Sequence, residues 1–347
     1  MVQSFLPSLL RHCLLAIVGI VAVGLSPMAD AAQKNSRTPA KASAKASSTA
    51  QKASSSRQVR VVKGKRKIVV KAAPPQPSMG QIYGLHATDD PLDLKSSVAL
   101  VIDQDTHQVL FAKNPQAVLP IASITKLMTA LVVTESGLPL DEQLVISQDD
   151  VDIQKGSRSR LAVGTYLTRG EMLLLALMSS ENRAAHSLGR HYPGGMDAFV
   201  AAMNAKAQLL GMSGTRYVEP TGLSSDNRSN ANDLVRLVDA AYAHPILREL
   251  STSREAQMGI GNRQLQFRST NGLVRGGEWD IGLQKTGYIS AAGRCLVMQA
   301  ELAGRKLIMV LLDSAGKYSR IGDAERIRKW LDDTVPAASA KAATTRF

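Results

Sequence analysis

Cysteine is nearly absent from this 347-residue chain: there are two, Cys13 and Cys295. A disulfide-stapled scaffold is thereby excluded, and stability must come from a buried apolar core, which the length permits. Aromatic residues make up only 4%, too few for a base-stacking surface. The apolar run near the start, Cys13–Leu25, has 13 residues, short of the roughly 20 that a permanent membrane span needs. Acidic residues are missing altogether from residues 31–79, which carry twelve Lys and Arg. The formal charge of +13 therefore belongs to that stretch, and residues 80–347 are close to neutral. A nucleic-acid footprint would be a basic face on a folded domain, so no nucleic-acid partner is expected.

What is present at the N-terminus reads as a secretory signal. Arg11 precedes the apolar run, and Ala29-Asp30-Ala31 fits an A-x-A cleavage site. The expectation is a signal peptide over residues 1–31, cut between Ala31 and Ala32, and a periplasmic mature protein. Cys13 opens the apolar run and does not follow it, the wrong place for a lipidated cysteine. Residues 32–79 are rich in Ala, Lys and Ser and end in Pro74-Pro75-Gln76-Pro77. Such a composition cannot bury enough apolar surface to order itself, and it predicts a basic tether. Two readings of the tether stay open: a passive spacer, or a weak contact with anionic polymers or a membrane surface. Alternation over Val59–Val70 admits one strand within it. The catalytic domain is expected over residues 80–335, followed by a frayed tail over 336–347.

Within that domain, β-rich runs at Ser97–Gln104 and Gln108–Lys113 flank Asp105-Thr106-His107 and predict a hairpin. Apolar residues at Ile124, Leu127, Met128 and Leu131 have helical spacing over residues 123–134. A capping box, Thr168 with Glu171, opens a second helix expected over residues 168–190. Further helices are expected over 196–210, 232–243 and 318–331. Strands are expected over 281–287, 294–303 and 306–313, the last two joined at Ala303-Gly304-Arg305. Helices interrupting an antiparallel sheet predict an α+β fold with the first and last strands in one sheet.

Three short motifs carry chemistry, in this order: Ser123-Ile124-Thr125-Lys126 (S-x-x-K), Ser180-Glu181-Asn182 (S-x-N) and Lys285-Thr286-Gly287 (K-T-G). Each is weak alone; together, with the first opening a helix and the last ending a strand, they are specific. A serine hydroxyl needs a base before it can attack. Positions i and i+3 share a helix face, so Ser123 Oγ and Lys126 Nζ can meet. Burial, the cation Lys285 and the helix N-terminus would all favour a neutral Lys126. Ser180 then serves as proton relay to the leaving amine, and Asn182 holds a substrate amide and Lys126. Lys285 and Thr286 bind the terminal carboxylate, and Gly287 admits substrate backbone along the strand. Backbone N–H groups of Ser123 and Tyr288 are the expected oxyanion donors.

Other polar residues weigh less. The six histidines show no metal-ligand spacing, so neither a metal nor another cofactor is expected. The run Gly156-Ser157-Arg158-Ser159-Arg160 reads as an exposed loop from which one arginine could reach substrate. Cys295, inside an apolar run, reads as a buried structural thiol.

The segment Ile121–Ala130 resembles the active-site segment of low-molecular-mass penicillin-binding proteins. The runs Leu177–Ala185, His191–Gly195, Glu219–Leu223, Lys285–Tyr288 and Ala291–Met298 are similar to the D-alanyl-D-alanine endopeptidase branch of that family. The likeness spans residues 80–335. It implies a serine β-lactamase/DD-transpeptidase-like fold, an acyl-enzyme intermediate, peptidoglycan as substrate and β-lactams as inhibitors. The related carboxypeptidases usually carry an extra β domain and a C-terminal amphipathic helix. Only 17 residues follow Trp330, which favours the endopeptidase branch and its D-alanyl-diaminopimelate cross-links.

Three other readings compete with this one. A D-alanyl-D-alanine carboxypeptidase would use the same residues. A β-lactamase would need a deacylating base; Glu219 has the approximate spacing, but Glu219-Pro220-Thr221-Gly222 reads better as a turn. A non-catalytic wall-binding module would have no need of Ser123, Lys126 and Lys285 together.

Overall fold

The computed structural model describes residues 76–153 and 155–334. The expected signal peptide, the strand within Val59–Val70, nearly all of the tether and the tail lie outside the described residues. Helix α1 (Met79–Ile82) leads into strands β1 (Ser96–Asp103) and β2 (Val109–Lys113). A short strand β3 (Leu119–Pro120) enters a 3-10 turn, Ala122–Ile124, which runs on into α2 (Thr125–Glu135). The middle of the chain holds β4 (Gln143–Val145), β5 (Tyr166–Thr168), α3 (Arg169–Met178), α4 (Asn182–Arg190) and α5 (Gly195–Leu209). It continues through β6 (Arg228–Ser229), α6 (Ala231–Tyr242) and α7 (Pro245–Thr252). The last part contains β7 (Glu255–Ile260), β8 (Arg263–Arg268), α8 (Gly272–Gly276), β9 (Asp280–Ile289), β10 (Gly293–Leu302), β11 (Arg305–Ser314) and α9 (Ser319–Thr334).

Five strands form one antiparallel sheet in the order β2-β1-β11-β10-β9. The first hairpin and the last strands thus share a sheet, as the α+β reading expects. Alternation sorts the central strands onto two cores. Val98, Leu100, Val310, Leu312 and Val297 face a core shared with α2, α3, α4 and α6. Ala99, Val101, Met309, Leu311 and Met298 face a smaller one closed by Ala324, Ile327 and Leu331 of α9. A sheet buried on both faces needs continuous apolar strands, and β1 and β11 read that way.

Local chemistry fixes the ends of these elements. Thr168 Oγ1 accepts from Glu171 N and the Glu171 carboxylate accepts from Thr168 N, the capping box that the sequence predicts. The two-residue link between β10 and β11 takes positive φ at Ala303 (51°) and Gly304 (72°), the twist a tight hairpin needs. Ser78 caps α1 and donates to Asp313 at 2.9 Å, so Ser78 and Met79 belong to the folded unit and not to the tether. Cys295 is buried and its thiol is pushed up to about 12 by burial, which fits a structural residue.

Two expectations need correction. The helix expected over 168–190 is two helices, because Ser180 takes a left-handed backbone (φ 61°) between Met178 and Asn182. The strand carrying Lys285-Thr286-Gly287 does not end there but continues to Ile289. No described helix is long and apolar enough to cross a membrane.

Candidate active site

The nucleophile candidate sits at the junction of a 3-10 turn and α2. Residues i and i+3 eclipse in a 3-10 turn, and Lys126 Nζ stands 3.0 Å from Ser123 Oγ. The turn is strained at its entry: Ala122 is buried and has φ 47°, a value that a residue with a Cβ holds only when its surroundings impose it. The neighbouring turn at Gly222 imposes it. A Cβ at Gly222 would lie 1.9 Å from the Ala122 carbonyl oxygen and 2.8 Å from Ser123 N.

Lys126 is fully buried among polar atoms. Besides Ser123 it donates to Asn182 Oδ1 at 2.6 Å and to the Thr221 carbonyl at 2.6 Å. Burial is the first cause that brings its pKa down from 10.5 to about 7, while the charges of Glu219 and Glu181 hold the proton on. Burial is one of the causes that the sequence predicts for a neutral Lys126. Lys285 is itself buried and held well below its ordinary value, first by burial, then by the charges of Lys126 and Arg320.

Lys285 points inward. Its ammonium donates to Ser180 Oγ at 3.0 Å and to the Thr286 carbonyl at 2.9 Å. Thr286 Oγ1 meets Thr270 Oγ1 at 2.6 Å. Ser180 and Asn182, which flank one residue, thus face two different lysines: Ser180 meets Lys285 and Asn182 meets Lys126. The site is a pair of hydroxyl–amine contacts, Ser123–Lys126 and Ser180–Lys285, joined through the Ser180 turn. Such a pair can take a proton from one oxygen and deliver a proton near another.

Gly287 is also required by the packing around the nucleophile. A Cβ there would lie 3.0 Å from both the Ile121 carbonyl oxygen and Ser123 N. Its small size lets β9 press against the nucleophile turn, and Tyr288 is the next residue along the strand. Tyr288 is exposed, with the Arg294 guanidinium 4.4 Å above its ring.

Three contributors escape a reading by motif. Thr221 offers its carbonyl to Lys126, and backbone acceptors leave no mark in a motif. Glu219 holds that carbonyl in place: its carboxylate accepts from Thr221 N, Gly222 N, Ser224 N and Asn227 Nδ2 at 2.6, 2.7, 3.3 and 2.9 Å. Ser157, expected in an exposed loop, accepts from Asn182 Nδ2 at 3.0 Å. Arg158 in the same loop is exposed. No group of acidic, His and Cys side chains fit to hold a metal occurs among the described residues.

The profile of the D-alanyl-D-alanine carboxypeptidase peptidase family matches residues 85–316. A D-alanyl-D-alanine endopeptidase of Pseudomonas aeruginosa is 51% identical over 253 residues, covering 71% of this chain and 82% of that protein. A protein of the same name from Escherichia coli is 47% identical over 253 residues, with the same shares, 71% and 82%. Among solved structures, a penicillin-binding protein homologue from Mycobacterium tuberculosis superposes with a TM-score of 0.65 at 28% identity, covering 72% of this chain and 96% of that one.

Proposed function

The chain belongs to the D-alanyl-D-alanine carboxypeptidase family of serine peptidases, and on that premise we propose that it opens peptidoglycan cross-links as an endopeptidase, through an acyl-enzyme at Ser123. It is a serine-type DD-peptidase, penicillin-binding, with peptidoglycan as its substrate. The observation that carries the assignment of residues is the 3.0 Å contact between Ser123 Oγ and the buried Lys126 amine.

Neutral Lys126 takes the Ser123 proton, and Oγ attacks the carbonyl carbon of the D-alanyl residue. Backbone N–H groups of Ser123 and Tyr288 stabilise the oxyanion. As the tetrahedral adduct collapses and its C–N bond breaks, Ser180, held by Lys285, gives its proton to the leaving amine and recovers the one that Lys126 took from Ser123, so that Lys126 is neutral again. Asn182 orients both Lys126 and a substrate amide, and Thr286 with Lys285 presents positive character to a carboxylate. Water then attacks the ester, with Lys126 again as base. Glu219 is poorly placed to activate a fast deacylating water, since its oxygens are taken up by the donors of its own turn. This favours a long-lived penicillin adduct over β-lactamase turnover.

The endopeptidase preference rests on the names of the two relatives at 51% and 47% identity. A signal peptide cut near Ala31-Ala32 and a periplasmic location accord with a wall substrate. Digestion of purified cross-linked muropeptide dimers tests the preference. Monomers are the expected product; loss of one alanine from the dimer would make the protein a carboxypeptidase.

A further inference from the structure

Between Ser180 and Asn182 lies a residue to which the reaction above gives no part. Glu181 is only 7% exposed, and a buried carboxylate needs partners. Its partners come from one segment. Ser159 Oγ donates to Glu181 Oε2 at 2.7 Å, and Arg160 Nε donates to Oε1 at 3.3 Å. Arg160 is fixed in turn: one amino group donates to the Gln266 carbonyl at 2.8 Å, and its guanidinium lies 3.8 Å over the Phe267 ring. The next two residues of α4 reach the same segment. Asn182 Nδ2 donates to Ser157 Oγ at 3.0 Å, and Arg183 donates to the Leu161 carbonyl at 2.7 Å.

Three consecutive residues after Ser180 are therefore tied to residues 157–161. Ser180 itself holds φ 61°, a conformation that persists in a residue with a Cβ only where neighbours over-determine it. We propose that Glu181 is a positioning residue of the reaction: with Ser159 and Arg160 it clamps the Ser180 turn, so that Ser180 stays on Lys285 while Asn182 stays on Lys126. The proposal rests on the reading of Ser123 and Lys126 given above.

Glu181 has a second effect through charge. The charged groups bearing on Lys126 are the anions Glu219 and Glu181, which favour its proton. Lys285 meets Ser180 on the other side of the turn, and the Lys126 charge lowers its own value. Arg160 offsets the Glu181 charge from the other side. Removing the carboxylate charge and removing the Arg160 charge should therefore move the pH dependence of acylation in opposite directions. A role in stability alone would move neither.

The test uses the full chain and four variants, Glu181→Gln, Glu181→Ala, Ser159→Ala and Arg160→Ala, with a fluorescent penicillin as probe. Rates of acylation across pH, intact mass and melting temperature are read for each. Glu181→Gln keeps the shape and should acylate at a rate near wild type, with the rise of its profile at lower pH. Glu181→Ala should lose about tenfold to a hundredfold at its optimum, the scale set by misplacing a reacting group. Ser159→Ala and Arg160→Ala should both lose rate, and Arg160→Ala, which leaves the Glu181 charge without its offset, should also shift the rise to higher pH. Variants with the wild-type rate and profile, or with rates that fall only in step with melting temperature at an unchanged profile, would overturn the proposal alone. A wild-type protein that takes up no penicillin at Ser123 would overturn the functional reading and the proposal together.

Discussion

Gly222 lies so close to Ala122 that a Cβ on it would stand 1.9 Å from the Ala122 carbonyl oxygen, with φ at +80°. Two segments distant in sequence thus meet at the nucleophile, one carrying Ser123 and the other the Thr221 acceptor for Lys126. Gly222→Ala should destabilise the fold by about 1–3 kcal/mol from backbone strain alone, before any clash is relieved. It should also slow penicillin acylation in the fraction that folds. Melting curves and acylation rates on one preparation check this; wild-type values for both would show that the contact is slack.

The Lys126 amine must be neutral to accept the Ser123 proton. Its pKa is about 7, so acylation should rise as pH passes through that value and level off above it. Measuring penicillin acylation on both sides of neutrality checks the sign. A rate that falls over the same range would mean that the protonated form is the active one.

The same buried amine shapes stability. A lysine whose folded pKa lies below its unfolded value binds fewer protons when folded, so stability rises with pH between the two. Here that window runs from about 7 to 10.5. The penalty is complete below it and relieved progressively across it. Lys126→Met removes the titration, so its stability relative to wild type should be highest below the window and decline across it. Denaturant melts below, within and at the top of the window measure this, and a constant difference would place Lys126 at its ordinary pKa.

Much of this site is legible in the order of residues, and the reason is local. Ser123 and Lys126 lie within one turn, so their meeting follows from helical geometry alone. Strands β1, β2, β10 and β11 follow from apolar runs broken by short turns. What spacing could not supply is long-range or backbone-borne. The turn at Ser180 interrupts an otherwise helical pattern, Leu173 to Leu188, and nothing in that pattern marks a left-handed serine. The Thr221 carbonyl and the Ser157 hydroxyl reach the site from segments with no chemical motif. Gly287 has a packing role that its motif does not announce: it makes room for the Ser123 turn. The hairpin of β7 and β8 is legible too: Ala256, Met258, Leu265 and Phe267 alternate with exposed Glu, Gln and Arg around Gly261-Asn262, although no strand is expected there above.

The basic stretch supplies a further test. Ser78 anchors α1 to Asp313, so a cut that spares the fold must stop before it. Deleting residues 32–75 should leave hydrolysis of soluble muropeptides unchanged within about twofold, as expected for a stretch whose composition predicts a tether. A large loss on soluble substrate would show that the segment contributes to the site; a loss confined to intact wall would give it a part in attachment.

The central claim is that Ser123 is the residue that becomes acylated. Intact mass spectrometry of penicillin-treated wild type and Ser123→Ala, with peptide mapping of any adduct, tests it most directly. One penicilloyl group on the wild type, mapped to Ser123 and missing from a folded Ser123→Ala, is the result the account predicts. An adduct on another residue, or a Ser123→Ala protein that still acylates, would contradict it.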